Sequence, residues 1–334
     1  MERKSQNVVP WRLSVAPMMD WTDRHCRYLH RLMSRQVRLY TEMVTAPALV
    51  RGGARHLLRF HSAEHPVALQ LGGSDPAELA EAARMAEDEG YDEINLNVGC
   101  PSDRVQSGTF GAVLMKSPGL VADCLAAMSA AVSVPVTVKC RLGVDDQDPG
   151  EVLPDFLTRV RDAGIAEVAI HARKAWLQGL SPKENREIPP LDYDIVFEMK
   201  ARFPGLAIHV NGGVESLEDA KAFLDRGLDG VMIGRAAYHR PWDILGTADR
   251  VIHGETPPFE TPDQVVEATL PYLEAHLAEG GRLNAVTRHM LGMFAGRPGA
   301  RHWRRAISEN AHAEGAGPEV VINALAALDR QRAA

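Results

Sequence analysis

A lone cysteine, Cys100, closes an apolar run in "INLNVGCPSDRVQSGTFGAVLM", and a polar, glycine-punctuated loop follows it. A free thiol in such a place has two ordinary uses. It fills space as a small hydrophobe, or it acts as a general acid, because a thiol titrating near about 8.5 is mostly protonated at neutral pH. Further along, Lys139 stands inside "PVTVKCRLG" and His171 inside "EVAIHAR". Period-two alternation puts Arg141 on the face of Lys139 and Arg173 on the face of His171. Lysine is rarely buried unless it is paired. Two glycine turns come last: "NGG", which is Asn211, Gly212 and Gly213, and "IGR", which is Ile233, Gly234 and Arg235. Bare N–H groups at such turns, with the Arg235 guanidinium, suit a phosphate.

These residues need elements to position them. Eight β-rich runs recur, at 13–18, 37–43, 66–73, 93–99, 135–143, 167–173, 206–213 and 230–235, with helical stretches between them. "SDPAELAEAARMAEDEG" has Asp75 to cap its helix and Gly90 to stop it, and "SLEDAKAFLDRG" (216–227) repeats the device. Strict strand–helix alternation implies right-handed βαβ units and a parallel sheet. Eight units predict an α/β fold of the TIM (β/α)8 barrel type, with a doubly wound open sheet as the alternative. In a barrel, chemistry sits at the carboxyl ends of the strands, and the loops after strands seven and eight hold phosphate. Those ends are polar here: Met18 and Met19, Glu42, Gln70, Asn95 and Asn97, Lys139, His171, Asn211 and Arg235. After Gly246 only helical periodicity is found. The expected organisation is a tail over 1–11, a barrel over 12–245, a linker over 246–262 containing "GETPPFETP", and a helical domain over 263–334.

Composition narrows the function classes. The 334 residues are 45% hydrophobic and 24% charged, as in ordinary globular chains. The four cysteines show no C-x-x-C spacing, which argues against a zinc ribbon, an iron–sulfur cluster or a disulfide framework, and no metal site is expected. No apolar run reaches the roughly 18–20 residues of a membrane span. "MERKSQNVVPWRL" lacks the apolar region of a signal peptide, so a cytoplasmic location is expected. A net charge of −7 argues against broad, sequence-blind nucleic-acid binding but leaves room for a local basic face.

A phosphate site, Lys139, His171 and the apolar "APMMD" (Pro17, Met18, Met19) suggest a flat phosphorylated cofactor. Flavin mononucleotide (FMN) fits: a cation such as Lys139 at the N1/O2 edge stabilises the anionic reduced ring, and Gln70 suits the ring's polar edge. Pyridoxal phosphate also combines a phosphate with a lysine, used covalently, and the residues by themselves leave that choice open.

Eight segments together carry a resemblance. "APMMDWTDRHCR", "YTEMV", "LQLGGSDP", "YDEINLNVGCPSDRVQSGTFGAVLM", "PVTVKCRLG", "IHARKAWLQGLSPKENREIPPLDY", "NGG" and "IGR" resemble the tRNA-dihydrouridine synthases, A-type subfamily. "RHMLGMFAGRPGARHWRRAISENA" extends the likeness into the helical part, so it covers essentially the whole chain. The resemblance implies an FMN-dependent barrel and a helical domain that clasps tRNA. It implies reduction of the uracil C5–C6 bond at D-loop positions 20 and 20a, with NADPH as reductant. Pro17 to Met19, Gln70, Lys139, His171, Asn211 to Gly213 and Gly234 to Arg235 match its flavin-binding positions. Cys100 matches the proton donor, and Asn97, Lys183 and Arg186 match positions that touch tRNA. Hydride from flavin N5 goes to C6, and Cys100 then supplies the proton at C5 from the other face, carried over the base by the loop after it. Cys26, Cys124 and Cys140 keep the structural role.

A uridine in folded tRNA must be turned out of its stack, and RNA recognition rests on phosphate, 2′-hydroxyl and shape contacts. "GRPGARHWRR" (Arg297, Arg301, Arg304, Arg305) and "SPKENREIPP" (Lys183, Arg186) are read as RNA contacts. "DRHCRYLHRLMSRQVR" sets Arg24, Arg27, Arg31, Arg35 and Arg38 along one helical face, read as solvated, and Trp303 is read as core. Two rivals stand beside this reading: a dihydroorotate-type reductase of free pyrimidines, and a catalytically silent tRNA-binding protein. No obligate protein partner is expected, and the chain is read as a monomer.

Overall fold

The computed structural model describes residues 11–102 and 110–332. All eight expected strands form: β1 Leu13–Val15, β2 Leu39–Thr45, β3 Val67–Gly72, β4 Glu93–Val98, β5 Val136–Arg141, β6 Glu167–His171, β7 Ala207–Asn211 and β8 Gly230–Ile233. Every pairing is parallel, in the order β1-β8-β7-β6-β5-β4-β3-β2. The ring closes where Ser14 bridges Arg38: the Val15 N–H reaches the Arg38 carbonyl at 2.9 Å, and the Arg38 N–H reaches Leu13. This is a TIM barrel, not an open sheet.

Alternation sorts each strand into two environments. On β5, Val136, Val138 and Cys140 join the large apolar core shared with the helices, while Thr137 turns inward to Asn95 and Glu93. The barrel's waist is filled by a separate small cluster, Ala16, Tyr40, Ala68, Ala169 and Met232. Below it Arg38 ion-pairs with Glu93 and Glu167, and His209 lies 3.6 Å from Glu167. The helices carry the caps the sequence signals. Asp75 accepts the N–H groups of Ala77 and Glu78, and Gly90 ends that helix at φ 103°. Ser216 caps Leu217–Asp225.

Past β8 the described elements are all helical, including Pro262–Ala278 with a Thr261/Gln264 capping box and Ala300–Asn310. These helices return to the first helix of the barrel, Arg24–Met33. Tyr272 stacks on Tyr28 at 3.9 Å, and Asp23, the N-cap of Arg24–Met33, accepts from Arg288 at 2.5 Å and pairs with His289. Trp303 is fully buried, and its indole N–H donates to the Met290 carbonyl at 2.8 Å. Cys26, Cys124 and Cys140 are buried, and no helix is long and apolar enough to cross a membrane among the described residues.

One expectation is overturned. The run from Arg24 to Arg38 is not a solvated helical face. The helix stops at Met33, and Arg27, Arg31 and Arg38 are buried. Arg27 pairs with the buried Glu64 at 2.6 Å, and Arg31 donates to the carbonyls of Ser34, Val37, Glu64 and Pro66. Buried guanidinium groups survive where such acceptors converge, and spacing alone does not disclose them.

Candidate active site at the barrel mouth

Cys100 owes its place to Asn97. The Asn97 Oδ1 accepts the N–H groups of both Gly99 and Cys100 at 3.0 Å, an Asx turn that bends the chain off β4. The Cys100 carbonyl is tied in turn to the Ala112 N–H at 2.8 Å, and its Sγ lies 3.6 Å from Ser102 Oγ. The rest of the loop expected to carry Cys100, residues 103–109, lies outside the described residues.

Around Cys100 the structure gathers cations. Lys139, Arg141 and Arg186 all lie within Coulombic reach of its sulfur. Burial, and then the Arg141 guanidinium, pushes Lys139 down to about 8. Burial also pushes Arg141 down to about 10. His171 is driven well below its ordinary value by burial first and by Arg141 and Lys139 next, so its ring is neutral at pH 7. Arg141 is the brace of this group: its Nε donates to the Gly99 carbonyl at 3.0 Å, and its Nη1 donates to the Lys174 and Asn185 carbonyls. It thereby fastens the Cys100 turn to the segment bearing Lys183 and Arg186.

Beside His171, Gly212 and Gly213 both adopt positive φ, 104° and 70°. A Cβ on Gly212 would stand 2.6 Å from the His171 ring, and one on Gly213 would stand 2.5 Å from Leu191. Only glycine lets the ring and the turn share this space. Tyr193 donates its hydroxyl to the Gly212 carbonyl at 2.7 Å. Asn211 is buried, with Nδ2 donating to the Met232 carbonyl at 2.8 Å. Met18 reaches across to Gly234, with Sδ 3.7 Å from the position of a Cβ there, and Met19 is exposed at the rim beside Pro17. The Ile233 side chain is in the apolar core and its carbonyl accepts the Ala16 N–H at 2.8 Å. Arg235 is half-exposed and ion-pairs with Glu187 at 2.8 Å.

Gln70 and Asn97 are joined side chain to side chain at 2.8 Å inside the barrel. Lys183 is exposed, and Arg186 is half-buried with an Nε that has no partner among the described residues. Arg301 and Arg304 are exposed one turn apart on Ala300–Asn310, without an ion pair among the described residues, while Arg305 pairs with Glu309 and Arg297 with Asp243. Residues the sequence did not assign also shape the site. Asn185 is fully buried and clamps the loop through the Trp176 N–H and the carbonyls of Trp176 and Leu180. Arg141 was visible by alternation with Lys139. Asn185 was not, because a polar run gives no sign of which amide turns inward.

The residues fit a phosphorylated flavin. The side-chain Nε of Arg173 is buried without a partner among the described residues, beside Tyr193 and within Coulombic reach of Arg235. An orphaned guanidinium donor next to a glycine turn is the provision an anion requires. No group of three or more His, Cys, Asp or Glu side chains is placed to hold a metal among the described residues.

Comparison with known proteins adds three findings. The family model described as "Dihydrouridine synthase (Dus)" matches residues 14–330. Proteins named tRNA-dihydrouridine(20/20a) synthase are similar throughout: that of Vibrio parahaemolyticus is 58% identical over 321 residues, covering 96% of this chain and 98% of its own. That of Escherichia coli K12 is 59% identical over 315 residues, covering 94% and 90%. Among solved structures, the old yellow enzyme homologue from Zymomonas mobilis superposes with a TM-score of 0.52 at 13% identity, covering 75% of this chain and 89% of that one. At that identity the likeness is one of fold.

Proposed function

The chain belongs to the dihydrouridine synthase family, and on that premise we propose that it reduces the C5–C6 double bond of tRNA uridines 20 and 20a, with FMN as cofactor and NADPH as reductant. The observation that supports this reading is the juxtaposition of one thiol, Cys100, with a mouth in which cations outnumber carboxylates and with a glycine cradle. Free pyrimidines need no such breadth of positive charge, whereas a polyanion does.

When bound, FMN supplies the hydride that reaches C6. The chain's own residues do the rest. Gly212 and Gly213, with Arg173 and Arg235, would hold the phosphate through bare N–H groups and guanidinium donors. Lys139 would hold a positive charge beside the ring, and Gln70, whose Oε1 accepts from Asn97 and whose Nε2 donates to Asn95, would have its second N–H for the ring's polar edge. Cys100 holds the proton that C5 takes up, positioned by the Asn97 turn and by Arg141. His171, neutral at pH 7, is a hydrogen-bond partner and not a second cation.

Residues 12–245 form the catalytic unit and 263–334 the tRNA-gripping unit in this reading. Asn97, Lys183 and Arg186 meet the uridine loop, and Arg301 and Arg304 meet backbone further out. The protein works as a cytoplasmic monomer with tRNA as its partner. The test is direct. Protein reduced with NADPH is mixed separately with unmodified tRNA, free uridine and dihydroorotate, and flavin reoxidation is followed by absorbance. Rapid reoxidation by tRNA with dihydrouridine formed is the expected result. Reoxidation by a free pyrimidine at the same rate would overturn the reading.

A further inference from the structure

A single file of side chains links the barrel's floor to its mouth. The Thr137 hydroxyl donates to Glu93 Oε1 at 2.5 Å, and Asn95 Nδ2 donates to Thr137 Oγ1 at 2.8 Å. Gln70 Nε2 donates to Asn95 Oδ1 at 2.8 Å, and Asn97 Nδ2 donates to Gln70 Oε1 at 2.8 Å. Asn97 Oδ1 ends the file on the N–H groups of Gly99 and Cys100. All five side chains are buried.

Every bond in the file points the same way, and the reason is chemical. A carboxylate has lone pairs and no proton. Burial and the nearby Glu167 push Glu93 up, and its charged form is supported against them by Arg38 on Oε2 and by the Thr137 and Tyr40 hydroxyls on Oε1, the latter at 2.8 Å. Thr137 must therefore give its one hydrogen to Glu93 and take Asn95 as donor. Asn95 then has only its carbonyl left for Gln70, and Gln70 only its carbonyl for Asn97. At the top, Asn97 meets two backbone donors with the acceptor they need. We infer that Glu93 is a positioning residue for Cys100: its charge, relayed through Thr137, Asn95 and Gln70, fixes which end of the Asn97 amide faces the Cys100 backbone. Its kinetic consequence rests on the reading of Cys100 as proton donor; the polarity of the file does not.

Replacing Glu93 by glutamine reverses the argument. Arg38 claims the new amide's oxygen, which turns its NH2 toward Thr137. The threonine proton then moves to Asn95, both amides above flip, and Asn97 confronts two N–H donors with its own NH2. Buried donors facing donors break the turn.

The experiment measures amide hydrogen exchange at Gly99 and Cys100 in flavin-free protein, alongside tRNA-driven flavin reoxidation in holoenzyme. Glu93→Gln and Thr137→Val should each exchange these two amides about tenfold faster or more, and slow the tRNA step by roughly tenfold to a hundredfold, as misplacement by up to about 1 Å does. Thr137→Ser, which keeps the hydroxyl, should match wild type in both. NADPH reduction of the flavin should change far less than the tRNA step. The double variant Glu93→Gln/Thr137→Val should be no slower than Thr137→Val alone, because the relay is already cut. Unchanged exchange in both single variants, or additive losses in the double, would overturn the inference. If Glu93→Gln does not fold, the Thr137→Val and Thr137→Ser pair decides, since both leave the Arg38–Glu93 pair in place. A failure of Cys100 as the acid would show separately, as wild-type reoxidation in Cys100→Ser with the exchange result intact.

Discussion

The two ends of this barrel carry opposite electrostatic arrangements in one fold. At the floor, Arg38 is locked between Glu93 and Glu167 with His209 beside them. Burial works against the charge on Arg38, but Glu93, Tyr40 and Glu167 more than compensate and raise its pKa. At the mouth, burial depresses Lys139, Arg141, Arg173 and Arg186, and neighbouring cations add to it: Arg141 acts on Lys139, Arg186 and Arg173 act on Arg141, and Arg235 acts on Arg173 and Arg186, which feel one opposing carboxylate, Glu187. A buried charge with its counterion holds a fold together. A row of cations left short of counterions is charge held ready for something that comes from outside.

The largest effect should come from breaking the floor. Arg38→Met leaves two buried carboxylates without a counterion and should cost about 3–5 kcal/mol in chemical denaturation. Arg186→Met at the mouth should stay within about 0.5 kcal/mol. Equal losses would abolish the distinction between the two ends.

Next in size is Cys100→Ser. Serine is nearly isosteric but a far weaker acid, so FMN binding, reduction by NADPH and tRNA binding should persist while tRNA-driven reoxidation falls by roughly a hundredfold or more. The same change at Cys26, Cys124 or Cys140, all buried, should leave that step near wild type. A wild-type rate in Cys100→Ser would remove it from the chemistry.

A smaller effect is expected on affinity. Reversing charge at Lys183, Arg186, Arg301 or Arg304 should weaken tRNA binding and flatten its dependence on salt, by about one slope unit for each phosphate that is no longer neutralised. An unchanged slope, measured by salt titration of binding, would put the RNA path elsewhere.

The finest test uses pH. Lys139 titrates at about 8 in the fold against 10.5 for an ordinary lysine. Below about 8 it is charged in both folded and unfolded chains, so its burial penalty is present in full. Between about 8 and 10.5 the unfolded chain holds the extra proton, so the stability of flavin-free protein should rise with pH through that window. Lys139→Met should remove that rise in stability, read from melting temperature against pH. In the holoenzyme an anion at the ring edge should hold the lysine charged and suppress the rise as well. Lys139→Ala should also release flavin more readily or lower its reduction potential.

Much of this was legible in the residues. Eight strands followed from short β-rich runs set between helical stretches, because a barrel strand buries both its faces, and Asp75 and Gly90 bounded their helix by local chemistry alone. Lys139, His171 and Cys100 announced themselves as polar residues ending apolar strands. What stayed hidden depended on contacts between distant segments. Arg27 and Arg31 looked like a solvated face because their acceptors, Glu64 and Pro66, lie more than thirty residues away. Asn185, mid-way through a charged run, gave no sign of its burial.

The contact between Asp23 and Arg288 spans 265 residues, and it sets a timetable for the making of the molecule. At about 5–20 residues per second, the ribosome releases Asp23 roughly 13–53 seconds before the arginine that neutralises it. Tyr28 waits almost as long for Tyr272, and β1 stays unpaired on its β8 edge until residue 230 has been made. The β1 edge and the helix Arg24–Met33 thus gain these partners late. A nascent chain of this protein spends most of its synthesis with that sheet edge open.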